Sequence, residues 1–496
     1  MEENSRGLIR GLGLLGIIAL GVDNVIGGGI NYISVQIQDK VIGIGNLLPL
    51  VMVVGGGIAF FIALNYSYLG SAMPRAGGEY VWVSRGWKGI MGFLSSFSFW
   101  LAQCAAAGAI AYFDPSFLGT FFNQVGLTAV GGWLNTPAGT LIVGLGIIWL
   151  VWLIHISSIK TVAWTSIVFM VLMFAGGFFI VYYGFATSPP AYATALKIHG
   201  IDMHHYVEIG VRHARSIQGT DFPKALFIMF FSFVGFTAMS QAAGETKDPK
   251  RTLAIAFPVV VVIITIYFVL YTAGVYHAVP WQYILGLLES GHTSMVNGPA
   301  LLGYVMPKAV AAFVSLMVAL ALFNDLPPVY QTLTRLFFSW SIDGIAPEWA
   351  RRTNAKGVPA VSITFNACVV SLFFLLTLWF GWATEIAVTS TAALFMYVTV
   401  GITSLVFADH APRLASQSAL KRNTLVLFSA MIAIMIPSWL FIEGILVNLH
   451  KAWYLQSFIQ WIIVMALGGI VYGVAVLKAR KRGMAFEEKF SRLPRD

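Results

Sequence analysis

The stretch Ala19-Leu-Gly-Val-Asp-Asn-Val-Ile-Gly-Gly-Gly-Ile30 decides how this chain folds. It lies inside an apolar block, residues 9–36, that is long enough to cross a bilayer, yet it holds an acid and three consecutive glycines. Each glycine costs a helix up to about 1 kcal/mol, so Gly27-Gly28-Gly29 predict an unwound turn in mid-membrane. Unwound backbone survives in hydrocarbon only where it lines a polar cavity or is buried in protein. Close helix packing by small residues is the other reading of the same triplet.

Working outward, the whole chain has this apolar character. Of its 496 residues 58% are hydrophobic and 10% charged, with a mean hydropathy of +0.79. A soluble protein carries about 25% charged residues, so a soluble enzyme, a nucleic-acid binder and a secreted disulfide scaffold are all excluded. The apolar residues fall in repeated blocks of about 20, the length that crosses a hydrocarbon layer about 30 Å thick. Twelve spans are predicted: 9–36, 45–70, 90–114, 139–157, 161–185, 223–243, 253–278, 308–338, 360–380, 384–408, 424–447 and 453–477. Unbroken runs such as Val259–Tyr271 exclude the alternating strands of an outer-membrane barrel. Span 1 is too long for a signal-peptide core and is expected to stay in the mature protein.

Basic residues orient the chain, because cytoplasmic loops retain Lys and Arg. With the N-terminus inside, 23 of the 30 fall in inner segments and 7 outside. Both termini are therefore expected in the cytoplasm of a multi-pass cell-membrane protein. The basic tail 478–496 is read as lying against anionic headgroups or as a plain stop-transfer anchor. Cys104 and Cys368 both lie in apolar spans and read as packing residues, so no disulfide-linked ancillary subunit is expected. The outer segment 186–222 holds His199, His204, His205 and His213 with Asp202, Glu208 and Asp221. No pair has a zinc-site spacing that continues into a second pair, which favours a short amphipathic cap over a metal site.

Two further spans are interrupted. Span 6 contains Phe231-Ser-Phe-Val-Gly-Phe236, a weaker counterpart of the triple glycine. Spans 1 and 6 would open the two halves of a five-plus-five arrangement, where inverted-repeat transporters place discontinuous helices. Span 8 contains Phe323-Asn-Asp-Leu-Pro-Pro328. Proline lacks an N–H, so Pro327 and Pro328 free the carbonyls of Phe323 and Asn324 beside the carboxylate of Asp325. Such oxygens suit a hard cation or a proton. Asp23 stands 13 residues from Arg10, and Asp325 stands 10 from Arg335, about 20 and 15 Å from the inner side. Two acids at similar depth would share a cation, share a proton, or each bond to backbone. Asp114, Glu385 and Glu443 lie near span ends and are expected to reach water.

The motifs resemble those of the amino acid–polyamine–organocation transporters. Ala19–Ile30 resembles that family's first-helix motif, and Met73-Pro-Arg-Ala-Gly-Gly-Glu-Tyr80 its loop between helices 2 and 3. Phe230–Phe236 with Glu245-Thr-Lys-Asp-Pro-Lys-Arg251 resembles helix 6 and the loop after it. Thr334–Phe338 with Asp343-Gly-Ile-Ala-Pro347 resembles the end of helix 8. The resemblance implies an all-α LeuT-type fold with twelve transmembrane helices. Helices 1 and 6 would be discontinuous, in inverted repeats 9–185 and 223–408. It further implies a cytoplasmic segment 1–8, the outer insertion 186–222 and two peripheral helices over 424–477.

It also implies a secondary transporter of substrates with an α-amino acid head, working by alternating access. The carboxylate is expected at the N–H groups of Ile26, Gly27, Gly28 and Gly29, in keeping with the dipole of a half-helix N-terminus. The ammonium is expected at carbonyls of Phe231, Ser232 and Val234, with Phe231 as the gating aromatic. Gly28 replaces a serine frequent in the family. Thr237 stands where arginine–agmatine exchangers keep a glutamate, and Met173 where some relatives place a lysine whose ammonium takes the place of sodium. Asp23, Ile26, Phe323, Asn324 and Asp325 are accordingly expected to hold a coupling cation, Na+ or H+. Gln103, with Trp100 and Cys104, is a candidate for the pocket wall.

No lysine or arginine inside a span is available to pair an acidic substrate, and neutral amino acids are favoured. A basic amino acid or polyamine, exchange without ion coupling, and a transporter-like sensor are the alternatives. An enzyme is not expected, since His155 and His410 have no partnered motif. No cofactor is expected, and no phosphate-binding loop marks an ATP-driven pump.

Overall fold

The computed structural model describes residues 8–380, 386–449, 452–483 and 485–494, and among them every regular element is helical. Among the described residues eleven helices are long and apolar enough to cross a bilayer, and they coincide with spans 2 to 12. The start of span 10 at 384–385, with Glu385, lies outside the described residues, as does most of 1–8. Local chemistry sets several ends. Thr136 and Ser158 accept N–H bonds from Gly139 and Thr161 (both 3.1 Å), and Asn423 does the same for Val426 (3.0 Å). Each satisfies one of the leading N–H groups that a helix leaves unpaired. Large apolar side chains such as Trp164, Phe178 and Trp379 stay exposed on the flanks, as expected where lipid is the solvent.

Span 1 is not one helix. Leu14–Asp23 is α-helical, a turn follows, and the chain resumes as a π-helix over Gly29–Ile33 and an α-helix over Ser34–Lys40. The turn covers 24–27, so it begins earlier than the triple glycine suggested, and Gly29 already belongs to the second half. Span 6 runs as Asp221–Phe230, a 3-10 segment Phe231–Thr237, and Ala238–Gln241. Span 8 remains continuous over Lys308–Ile342 despite Pro327 and Pro328. Span 3 extends over Gly89–Gln124, ten residues beyond its expected end, passing through Pro115. The Asp-Pro pair that reads as a helix stop is carried inside the helix, because the adjoining spans pack along its length.

The end of the bundle that the sequence reads as outer is covered by short helices. The insertion 186–222 forms Pro189–Ile198 and Met203–His213, and a second outer stretch, unforeseen from sequence, forms Trp281–Glu289 and Gly298–Leu302. Met203–His213 packs on Trp281–Glu289. His213 approaches Glu289 (3.9 Å), and the rings of His199 and Tyr304 meet edge-on. Among the described residues no group of three or more His, Cys, Asp or Glu is placed to hold a metal.

The opposite end of the bundle is bound together by buried polar contacts. Arg335 pairs with Glu245 (2.6 and 2.9 Å), to which Gln331 also donates (2.5 Å). The Glu245 carbonyl in turn accepts from the N–H groups of Gly11 and Leu12. Arg335 is thus buried in the bundle and is no headgroup anchor, so its use as a depth marker fails. On the loop helix Gly78–Gly86, Arg85 grips Asp343 with two 2.7 Å bonds. Glu79 on the same helix accepts from Ser240 (2.6 Å) and from Gln241.

Candidate functional site

The two interrupted helices meet. Asn24 in the turn of span 1 donates from Nδ2 to the Gly235 carbonyl in the 3-10 segment of span 6 (2.9 Å). A Cβ on Gly235 would overlap the Asn24 carbonyl, so only glycine lets the two backbones approach this closely. A Cβ on Gly29 would likewise run into Ser232. None of Gly27, Gly28 and Gly29 has a positive φ. The triplet therefore serves close approach more than an unusual backbone, which refines the reason inferred from sequence.

At the start of the resumed half-helix the leading N–H groups, Gly27 to Ile30, lack intrahelical partners by geometry. The Gly27 carbonyl is taken by the Asn31 side chain (3.0 Å), which is held by the Tyr271 hydroxyl (3.0 Å). Ser232 is buried and its hydroxyl has no hydrogen bond. Such a group costs free energy unless something fills its valence. Val234 is different, because its carbonyl already accepts from Tyr397 and Thr237 (both 3.3 Å). An ammonium would have to displace those hydroxyls. Phe231 is half-buried at the head of the 3-10 segment.

The acids divide into two groups. The side chains of Asn324 on span 8 and Ser166 on span 5 are turned towards Asp23. Both Asp23 oxygens, the Ser166 hydroxyl and Asn324 Oδ1 are buried without a well-formed hydrogen bond. The Asn324 amide reaches the Met173 sulfur (3.8 Å), so Met173 does border this cluster. A carboxyl with a hydroxyl and an amide turned towards it, in apolar surroundings, fits a hard cation or a proton. A small cavity of about 10 Å³ lies beside Met173, lined also by Ile26, Asn31 and Tyr267.

Asp325 faces elsewhere. Its carboxylate lies where a Cβ of Gly27 would stand, and the Gly28 N–H is directed at it. The carboxyl of Asp114, on span 3, acts on it electrostatically as well. Asp114 is buried with both oxygens unpartnered, which corrects the expectation that it reaches water. Its signal was hidden by Pro115, which reads as a helix end. The same register sets the level of the expected pocket wall. Tyr32 meets Phe117 edge-on, so span 3 passes the breaks around residues 114–117. Gln103 lies 11 residues below Asp114, about 16 Å along the helix. Trp100 stacks on Phe337 and bonds to Asn366 (2.9 Å), and Cys104 is buried in the core.

Comparison with known proteins bears on this geometry. The profile of the amino acid permease family matches residues 12–467. Asc-type amino acid transporter 1 of Mus musculus is 24% identical over 373 residues, 73% of this chain and 64% of that protein. The chain thus spans somewhat under two thirds of that relative's length. The branched-chain amino acid permease BcaP of Lactococcus lactis is 24% identical over 404 residues, 78% of this chain and 80% of that protein. The D-serine/D-alanine/glycine transporter of Escherichia coli is 27% identical over 237 residues, 45% and 49% of the two chains. With a match over nearly its whole length and a bundle of membrane-crossing helices around two facing breaks, the chain belongs to the amino acid permease family.

Proposed function

We propose that this protein carries amino acids across the membrane by alternating access, binding them where the breaks of spans 1 and 6 meet. The observation that carries the reading is the facing of two kinds of group. The leading N–H groups of the second half of span 1, which have no partner within the helix, stand at the break, and the unpartnered Ser232 hydroxyl stands beside Gly29. N–H groups at a half-helix start favour a carboxylate, while hydroxyl and carbonyl oxygens across from them favour an ammonium. The two charged ends of an amino acid head would so be held a few ångströms apart, with Phe231 above as the gate.

Neutral side chains are the favoured cargo. Arg335, the arginine inside span 8, is committed to Glu245, and relatives include proteins named for branched-chain amino acids and for D-serine, D-alanine and glycine. A coupling cation, sodium or proton, is assigned to Asp23 with Ser166 and Asn324, one residue before Asp325 on span 8. The repeats 9–185 and 223–408 would supply the two moving bodies, with both termini in the cytoplasm. The test is uptake of labelled leucine, alanine and serine into proteoliposomes under an inward sodium or an inward proton gradient. Accumulation driven by one gradient and abolished by Asp23→Asn is expected. Uptake that ignores both gradients and requires amino acid inside would make the protein an exchanger and remove the coupling role of Asp23.

A further inference from the structure

The place that span 1 offers to a substrate carboxylate is already held by a carboxylate of the protein. Asp325 sits against Gly27 so closely that no side chain fits there, and the Gly28 N–H points at it. Its Oδ1 is buried without a hydrogen bond, so the carboxyl has an unfilled valence at the break. Asp114 faces it from span 3 and Asp23 lies nearby on span 1, with no cation among the groups acting on it. The one favourable partner is the N-terminal end of the resumed half-helix.

From this we infer that Asp325 is a resident ligand of the span 1 break, which a substrate carboxylate must displace, and so a determinant of specificity. The half-helix end has a charge equivalent to about half an elementary charge, too little to hold two carboxylates at once. A substrate bearing a carboxylate therefore competes with Asp325, whereas an amine without one does not and gains the Asp325 charge as a partner for its ammonium. Selectivity between amino acids and their decarboxylated amines is set by this one side chain. The inference rests on the reading that the facing breaks are the substrate site.

The test is equilibrium binding to the purified full chain of three acid–amine pairs: alanine and ethylamine, leucine and isopentylamine, serine and ethanolamine. Asp325→Asn keeps the shape and removes the competing charge, and Asp325→Ser serves as a second variant with a different side chain. A charge-assisted hydrogen bond is involved on each side of the competition. The preference for acid over amine should therefore rise about tenfold or more in both variants. A merely structural role would weaken acid and amine together and leave their ratio unmoved. An unchanged or reduced ratio in either variant, with amino acids still bound by the wild type, overturns this inference and leaves the transport reading standing. Failure of the wild type to bind any of the three amino acids overturns the transport reading, and this inference with it.

Discussion

At the scale of single residues, the site is built from omissions as much as from side chains. Gly235 has no Cβ because the Asn24 carbonyl occupies that volume. Gly235→Ala must separate the two breaks, and overpacking of this kind costs about 1–3 kcal/mol. Substrate binding is expected to fall more than tenfold while the thermal midpoint in detergent drops only modestly; unaltered binding would mean that the breaks need not touch. Glu79 gives a pH prediction. Burial pushes its carboxyl up to about 7, against hydrogen bonds from Ser240, its own backbone, Tyr66 and Gln241 that lower it. The folded protein then holds a proton that the unfolded chain releases between pH 4.5 and 7. Stability from this group is therefore greatest at the acid end, declines as pH rises through that window, and levels off above it, over a range of about 3 kcal/mol at most. Unfolding midpoints of Glu79→Gln at pH 5 and pH 8 should show the variant gaining on the wild type at the higher pH. A constant difference at both would show that Glu79 does not titrate there.

At the scale of elements, sequence patterns revealed the interruptions better than their mechanics. The triple glycine and the Phe-Ser-Phe-Val-Gly run both marked real departures from α-helix. The turn nevertheless sits at 24–27 because a π-helix takes up the slack from Gly29 onward, and hydrophobic pattern carries no signal for that adjustment. Asp114 was missed for a local reason: an acid followed by proline ends most helices, and here neighbours hold the helix through it. The level of Gln103 relative to the breaks was not legible, because composition reports depth poorly along a 36-residue helix. The helices Trp281–Glu289 and Gly298–Leu302 were passed over because neither is long enough to stand out from a loop. The inner seal makes a prediction at this scale. Removing one partner of a buried ion pair costs about 3–5 kcal/mol, so Glu245→Gln should uncouple the start of span 1 from spans 6 and 8. Faster alkylation of a cysteine placed at Leu12 is the expected readout. An unchanged rate would show that Arg335 and Glu245 do not close that end of the bundle.

At the scale of the whole molecule, the inner face is tied together by the chain's own tail. Phe490 lies over the Arg85 guanidinium (5.2 Å), and Lys489 donates to the Asp343 carbonyl (2.9 Å). Phe486 and Phe490 are buried, each contributing about 1.5–3 kcal/mol if fully buried. Removal of residues 485–496 should lower the thermal midpoint by several degrees, and Phe490→Ala should reproduce a good part of that loss. An unaltered midpoint would make the tail a bystander. The direct test of the substrate site itself is protection of a cysteine by substrate, with Cys104 and Cys368 replaced by alanine. In that background the rate of modification at Ser232→Cys is compared with that at Gln103→Cys, with and without saturating leucine, alanine or serine. Slowing of at least fivefold at position 232 with no change at 103 is the expected result. Protection at 103 with none at 232 would place the substrate about 16 Å further in and contradict a site built from the two breaks.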